Sequence, residues 1–274
     1  MVIPAYAGSL HQTSQRSTAL VTGASTGIGL DLARLLARDF DLIVTARAQA
    51  RLQQVAAQLE AQHGNRVHVI PADLAQADAP ARLFAEIASR GLRVDALINN
   101  AGFGAYGVFA ETNAETELEM IQVNITALTH LTKLALPGML ERRQGRIMNV
   151  ASTAGFQPGP LMAVYYATKA YVISFSEAIA NELNGSGVTV TCLCPGATET
   201  EFAKRADMEK SRLFKMGKMS SAAVARAGYS AMLRGKTLVI PGAKNWVMAE
   251  SVRFSPRKLV TAIARKVQER VETS

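Results

Sequence analysis

A chain of 274 residues in which 49% of side chains are apolar, with only nine Phe and one Trp, can bury one large core of Ala, Val, Leu and Ile and suits a single α/β domain better than two small ones. Its 30 basic and 22 acidic side chains give a net charge of +8, which could attract nucleic acid, an anionic membrane or a phosphorylated small molecule, but the charge forms no long block and no nucleic-acid motif accompanies it. Cys192 and Cys194 alternate along an apparent strand and are expected to face opposite ways; two such cysteines and no metal-ligand cluster argue for a reducing compartment, no disulfide and no structural metal. The N-terminus has no basic-then-apolar signal, and Pro and Gly interrupt every long uncharged run, so neither secretion nor a membrane span is expected.

Residues 1–17 read as a mobile leader. Ala19-Leu20-Val21 begins a strand that runs into Thr22-Gly23-Ala24-Ser25-Thr26-Gly27-Ile28-Gly29, and a helix follows with Leu30, Ala33, Leu36 and Ala37 as its inner face. A strand, a glycine turn and a helix N-terminus make a pyrophosphate site, because bare backbone lets a phosphate approach outward-pointing N–H groups. The glycines at 23, 27 and 29 follow G-x-x-x-G-x-G rather than G-x-G-x-x-G. Opened by Thr22, this turn resembles the nucleotide fingerprint of the short-chain dehydrogenase/reductase family.

The second strand, Asp41 to Arg47, ends where a carboxylate would bond a ribose 2′-OH and repel a 2′-phosphate. The sequence offers Ala46 and Arg47 instead, with no acid nearby. A guanidinium can pair a phosphate and stack on adenine, so NADP(H) is preferred over NAD(H), the bland reading being a solvated surface Arg. A helix over 49–62 and a third strand over 67–70 deliver Asp73 and Leu74. The resemblance places Asp73 at the adenine amino group; alternatively it caps the helix over 81–89. The fourth strand exits through Asn99-Asn100-Ala101-Gly102, which resembles the family's Asn-Asn-Ala-Gly signature. Asn99 is read as structural, and Asn100, Ala101 and Gly102 as bordering the cofactor. The Gly-rich stretch 103–109 is expected to line the substrate mouth. Asn124 falls inside the next helix, where Asn is mildly unfavourable. It is either water-exposed or, as the resemblance implies, bends the helix and holds a water that links a catalytic lysine to solvent.

The fifth strand ends at Ser152, 13 residues before Tyr165, and Lys169 stands four residues further on, one helical turn away. A free tyrosine with a pKa of about 10 is a poor acid–base catalyst near neutrality, and a neighbouring cation is expected to bring that pKa down. Tyr166 is a decoy, since Ala170 stands four beyond it. A sixth strand over 188–194 leads into Pro195-Gly196-Ala197-Thr198-Glu199-Thr200. It resembles the family's Pro-Gly…Thr motif for the nicotinamide carboxamide; Thr200 fits best and Thr198 is the alternative. Residues 201–218 are expected to form a flap over the substrate. A helix over 221–233 and an edge strand over 237–240 follow. The basic tail 257–274 places Leu259, Ile263, Val267 and Val271 on one stripe, to pack on its own domain or a sister subunit or, as a sharper alternative, on a membrane surface.

Alternating strands and helices predict a Rossmann-like, doubly wound parallel sheet of about seven strands over 18–274, with helices on both faces and the site at the strands' C-terminal ends. The resemblance spans Ala19 to Thr200. It implies an NADP-dependent oxidoreductase that interconverts a carbonyl compound and a secondary alcohol. Tyr165 is the acid/base, Ser152 steadies the substrate oxygen, Lys169 lowers the Tyr165 pKa and binds the nicotinamide ribose, and Asn124 supports Lys169. Alternatives are an NAD-linked alcohol dehydrogenase and a non-catalytic NADPH-sensing protein. The expected partners are an apolar or bulky small-molecule carbonyl or alcohol and a second copy in a homodimer or homotetramer, with no nucleic acid. The expected location is cytoplasmic.

Overall fold

The computed structural model describes residues 16–202 and 217–269. The chain alternates strand and helix: β1 Thr18–Thr22, α1 Gly27–Leu36, β2 Asp41–Thr45, α2 Gln49–His63, β3 Val67–Val69, α3 Ala79–Ser89 and β4 Ala96–Asn99. A long helical rod follows, made of α4 Ala114–Ile121, a π-helical turn Gln122–Ala127 and α5 Leu128–Glu141. Then come β5 Gly145–Val150, a 3-10 turn Thr153–Phe156, α6 Ala163–Glu182, β6 Val188–Leu193 and β7 Thr198–Glu199. After the undescribed segment stand β8 Met219–Ser220, α7 Ser221–Leu233, β9 Leu238–Val239, α8 Ala243–Ser251, a 3-10 turn Val252–Phe254 and α9 Arg257–Gln268.

Seven strands form one parallel sheet in the order β3-β2-β1-β4-β5-β6-β9. Their near-continuous apolar runs follow from burial on both faces. Period-2 alternation then sorts the side chains into two layers. Ala19, Val21, Leu42, Val44 and Ile98 join the core shared with α1, α2 and α7, while Leu20, Ile43, Leu97 and Ile147 join the one shared with α3, α5 and α6. Chain order reverses between β1, which pairs β2, and β4 on its other side, so a crevice opens at their carboxyl ends.

Several details depart from the sequence reading. Cys192 and Cys194 are two residues apart on an extended chain and therefore face the same side; their sulfurs lie 3.7 Å apart, buried and unbridged. Helix α1 turns Leu32, Ala33 and Leu36 inward, leaving Leu30 only partly buried. Asp73 caps no helix: α3 starts after Asp78, and Asp73 Oδ1 accepts from Ala75 N at 3.2 Å in a local turn. In α9 the buried residues are Val260, Ala264 and Gln268, whereas Leu259 and Ile263 are 52% and 54% exposed. The packed stripe is thus rotated by about one residue, and Val271 lies outside the described residues. Of the expected leader and flap, residues 1–15 and 203–216 also lie outside them. Among the described residues no helix is long and apolar enough to cross a membrane.

Candidate active site

A cleft of about 530 Å³ runs across the carboxyl end of the sheet. At one end, Thr22 Oγ1 donates to Ile98 O at 3.2 Å and accepts from the amides of Asn100 and Ala101 at 3.0 and 2.9 Å. Asn100 Nδ2 donates to Thr22 O at 2.9 Å. These bonds fasten the tips of β1 and β4, so Asn100 spends its amide on the turn and contributes position. Gly23 and Gly27 adopt φ of 66° and 56°, in the left-handed region that disfavours a side chain. A Cβ on Gly29 would lie 2.3 Å from Asn100 Nδ2 and 2.4 Å from Gly23 O. Thr26 makes no side-chain bond to the first turn of α1. First-turn N–H groups have no intrahelical acceptor, and here they border a cleft lined by Ser25, Thr26, Gly27 and Ile28. A bare turn and an uncapped helix start fit the phosphates of a dinucleotide.

Further along the same wall stand Arg47, Asp73, Leu74, Ala101 and Gly102. The sequence shows no acid near Arg47, but folding brings Glu119 Oε1 to 3.9 Å from its guanidinium. Asn124 occupies the π-helical turn and is 1% exposed, which overturns the water-exposed reading. The widened turn aims its amide across the rod. Nδ2 donates to Phe103 O and Thr168 Oγ1, both at 3.0 Å, while Oδ1 accepts from Phe103 N at 3.1 Å. A Cβ on Gly102 would touch both Asn124 Oδ1 and Lys169 Nζ, at 2.9 and 3.5 Å, so this backbone passes close to the lysine.

Ser152, Tyr165 and Lys169 meet where β5 ends beside the first turns of α6. Ser152 Oγ accepts from Ala154 N at 3.1 Å. Tyr165 is buried against Phe202, with ring centres 5.2 Å apart. Lys169 Nζ donates to Val150 O at 2.9 Å and lies 5.8 Å from the centre of the Tyr165 ring. The expectation of a lowered tyrosine pKa fails in this state. Burial pushes the Tyr165 phenol well above its ordinary value, against the opposing pull of its hydrogen bond with Ser152. Burial also lowers Lys169 to about 8, with the nearby Cys192 and Cys194 working the other way.

Pro195, Gly196, Thr198 and Thr200 also line the cleft. Thr198 Oγ1 is turned to Gly196 O at 2.9 Å, and Thr200 Oγ1 accepts from Phe202 N at 3.2 Å. A Cβ on Gly27 would reach 3.0 Å from Thr200 Cγ2, so the two turns nearly touch.

The sequence reading missed the wall formed by the C-terminal helix. Val252, Val260, Ala264 and Gln268, from the C-terminal turns and α9, line the cleft together with Ile263. Gln268 Nε2 donates to the Tyr166 hydroxyl, and Tyr106 Oη donates to Gln268 O at 3.1 Å. The signal was the amphipathic tail itself, expected to pack on its own domain or a sister subunit, but no local cue tells a helix which surface of the domain it covers.

A model of the short chain dehydrogenase family matches residues 17–211. A putative ketoacyl reductase of Streptomyces coelicolor is 38% identical over 194 residues, 70% of this chain and 74% of that protein. Other curated relatives are spanned over 61% and 62% of their own length. A short-chain dehydrogenase from Sphingobium yanoikuyae, solved with NADPH, aligns with a TM-score of 0.78 and 33% identity over 87% of this chain and 94% of that one. The bulky-bulky ketone specific alcohol dehydrogenase from Comamonas testosteroni aligns with a TM-score of 0.74 and 30% identity over 87% and 92%.

Proposed function

This chain belongs to the short-chain dehydrogenase family of oxidoreductases, and on that premise we propose that it reduces a bulky, apolar ketone to a secondary alcohol with NADPH. The observation that carries the reading is one cleft with a bare glycine turn at one end and the Ser152–Tyr165–Lys169 trio at the other.

The turn from Gly23 to Gly29 would hold the pyrophosphate, Arg47 a 2′-phosphate, Asp73 and Leu74 the adenine side, and Asn100 to Gly102 the middle of the dinucleotide. Thr200, with Thr198 as its neighbour, would meet the carboxamide, and Lys169 the nicotinamide ribose. The bound cofactor supplies the hydride. The chain's own residues manage the substrate oxygen. Tyr165 carries its proton at neutral pH, as an unperturbed tyrosine does, so it enters the reaction as an acid. It gives that proton to the carbonyl oxygen as negative charge develops there. The Ser152 hydroxyl donates to the same oxygen and steadies it. The ammonium of Lys169 then stabilises the phenolate left behind, and Asn124 fixes the backbone at Phe103 beside it.

The apolar wall, including Phe103, Met162, Phe202 and Val260, supports a substrate with large apolar groups. Two similar proteins, the putative ketoacyl reductase and the bulky-bulky ketone specific alcohol dehydrogenase, point the same way. A non-catalytic NADPH sensor would have no use for the complete trio.

Replacing Tyr165 by Phe tests the reading. Turnover of ketones with NADPH should fall by about 100-fold or more while NADPH binding, followed by calorimetry, is kept. Full activity in that variant would overturn it.

A further inference from the structure

Gln268 ends α9, a helix that carries Lys258, Arg265 and Lys266 away from its buried stripe. It is nonetheless 1% exposed. A glutamine at that depth normally pairs both ends of its amide. Here only Nε2 is paired, to the Tyr166 hydroxyl, and Oε1 has no partner among the described residues. Among those residues the one hydrogen bond of the Tyr166 hydroxyl is the one it accepts from Gln268, so its own hydrogen is available. Both side chains line the cleft beside Tyr165, and the Tyr165 and Tyr166 rings stand edge to face with centres 6.1 Å apart. Val260, Ile263, Ala264 and Val267 make the surrounding α9 wall apolar. Tyr106 holds the Gln268 carbonyl, which fixes the end of the helix in place.

We propose that Gln268 and Tyr166 form a substrate subsite for a hydroxyl group carried on the ketone's skeleton away from the reacting carbonyl. The inference rests on the ketone-reductase reading and deepens it. A hydroxyl is the group that uses both offers: it donates to Gln268 Oε1 and accepts from the Tyr166 O–H. A methylene there leaves the buried oxygen unpaired, and a second carbonyl can use only the Tyr166 hydrogen. Tyr166, one residue from the acid, then reads the substrate while Tyr165 protonates it.

The test uses the full chain with NADPH and three ketones of one bulky cyclic skeleton, bearing at the remote position a hydrogen, a hydroxyl or a second carbonyl. The hydroxyketone should be preferred over the deoxy ketone in kcat/KM by about 10-fold or more, as expected when a site built for a hydrogen bond meets a substrate lacking it. Gln268→Leu and Tyr166→Phe should each bring that ratio towards one. Tyr166→Phe serves as the independent check where Gln268→Leu proves poorly folded by thermal melting. A wild-type ratio near one, a ratio kept in both variants, or preference for the diketone overturns the subsite. Calorimetry of the same three compounds with the NADPH complex separates the two readings. Gln268-dependent preference for the hydroxyketone without turnover of any of them leaves the subsite standing and removes the reductase reading, and equal binding of all three removes the subsite.

Discussion

Lys169 Nζ donates to the carbonyl oxygen of Val150 at 2.9 Å, in a setting that leaves the lysine 6% exposed. The last carbonyl of β5 thus holds the cation beside the Tyr165 ring. Burial makes this ammonium costly, and its pKa falls to about 8.

That shift has a stability consequence with a definite sign. Between about 8 and the ordinary lysine value near 10.5, the unfolded chain binds the proton and the folded chain does not, so stability rises with pH across this window; below it the penalty is present in full. The raised pKa values of the Cys194 thiol and the Tyr165 phenol act in the opposite direction, above the ordinary thiol value of 9.0 and the ordinary tyrosine value of about 10. Between about pH 7 and about pH 9.5 the urea midpoint of the wild type should therefore rise relative to that of Lys169→Met. An equal pH response in both proteins would contradict the lowered lysine pKa.

Arg47 and Glu119 make a pair 3.9 Å long at the cleft wall, exposed enough to contribute about 0–1 kcal/mol at most. A 2′-phosphate should displace that contact. Arg47→Ala should raise KM for NADPH by about 10-fold and leave NADH little changed, in line with the loss of one charge-assisted hydrogen bond. Glu119→Gln should lower KM for NADPH slightly. Equal losses with both cofactors on Arg47→Ala would favour the NAD-linked alternative.

Gly29 has no room for a methyl group, because both Asn100 Nδ2 and Gly23 O stand within 2.4 Å of its Cβ position. One of these is backbone and cannot swing away. Gly29→Ala should pull the glycine turn from the Asn100 clamp and weaken NADPH binding by about 10-fold or more, with a destabilisation of about 1–3 kcal/mol. Calorimetry and a denaturant curve check the two effects separately.

Asn149 is wholly buried and joins β4, β5 and α6: Asn99 Nδ2 donates to its Oδ1, and its Nδ2 donates to Ser176 Oγ, each at 2.9 Å. Asn149→Leu removes both links, while Asn99 Nδ2 keeps Thr132 Oγ1 and Ser176 Oγ keeps Val172 O as partners. A loss of about 1–3 kcal/mol in denaturant unfolding is expected, since each of the two lost hydrogen bonds contributes about 0.5–1.5 kcal/mol. A neutral outcome would mean that the chain from Asn99 to Ser176 is not cooperative.

Much of the architecture was readable residue by residue. Leu20 facing one layer while Ala19 and Val21 face the other is a matter of strand period, and helix α7 begins and ends where its Ser220 cap and apolar pattern place it. The turn from Thr22 to Gly29 and the Tyr165–Lys169 spacing are local patterns with local geometric meaning. Illegible features depended on partners distant in sequence. Glu119 reaches Arg47 across 72 positions, and Gln268 reaches Tyr166 across 102. The π-helical turn at Asn124 likewise answers to Phe103 and Thr168.

By itself the sequence determined the order of strands and helices, the glycine turn and the spacing of Ser152, Tyr165 and Lys169, because apolar period, left-handed glycines and helical pitch act over a few residues. Only the tertiary structure decided how buried Tyr165 and Lys169 are, and therefore that burial pushes the phenol's pKa up and lowers the lysine's to about 8. It also decided that helix α9 lines the cleft, with Gln268 against Tyr166. Desolvation and contacts between remote segments are properties of the packed chain, and no stretch of residues encodes them alone.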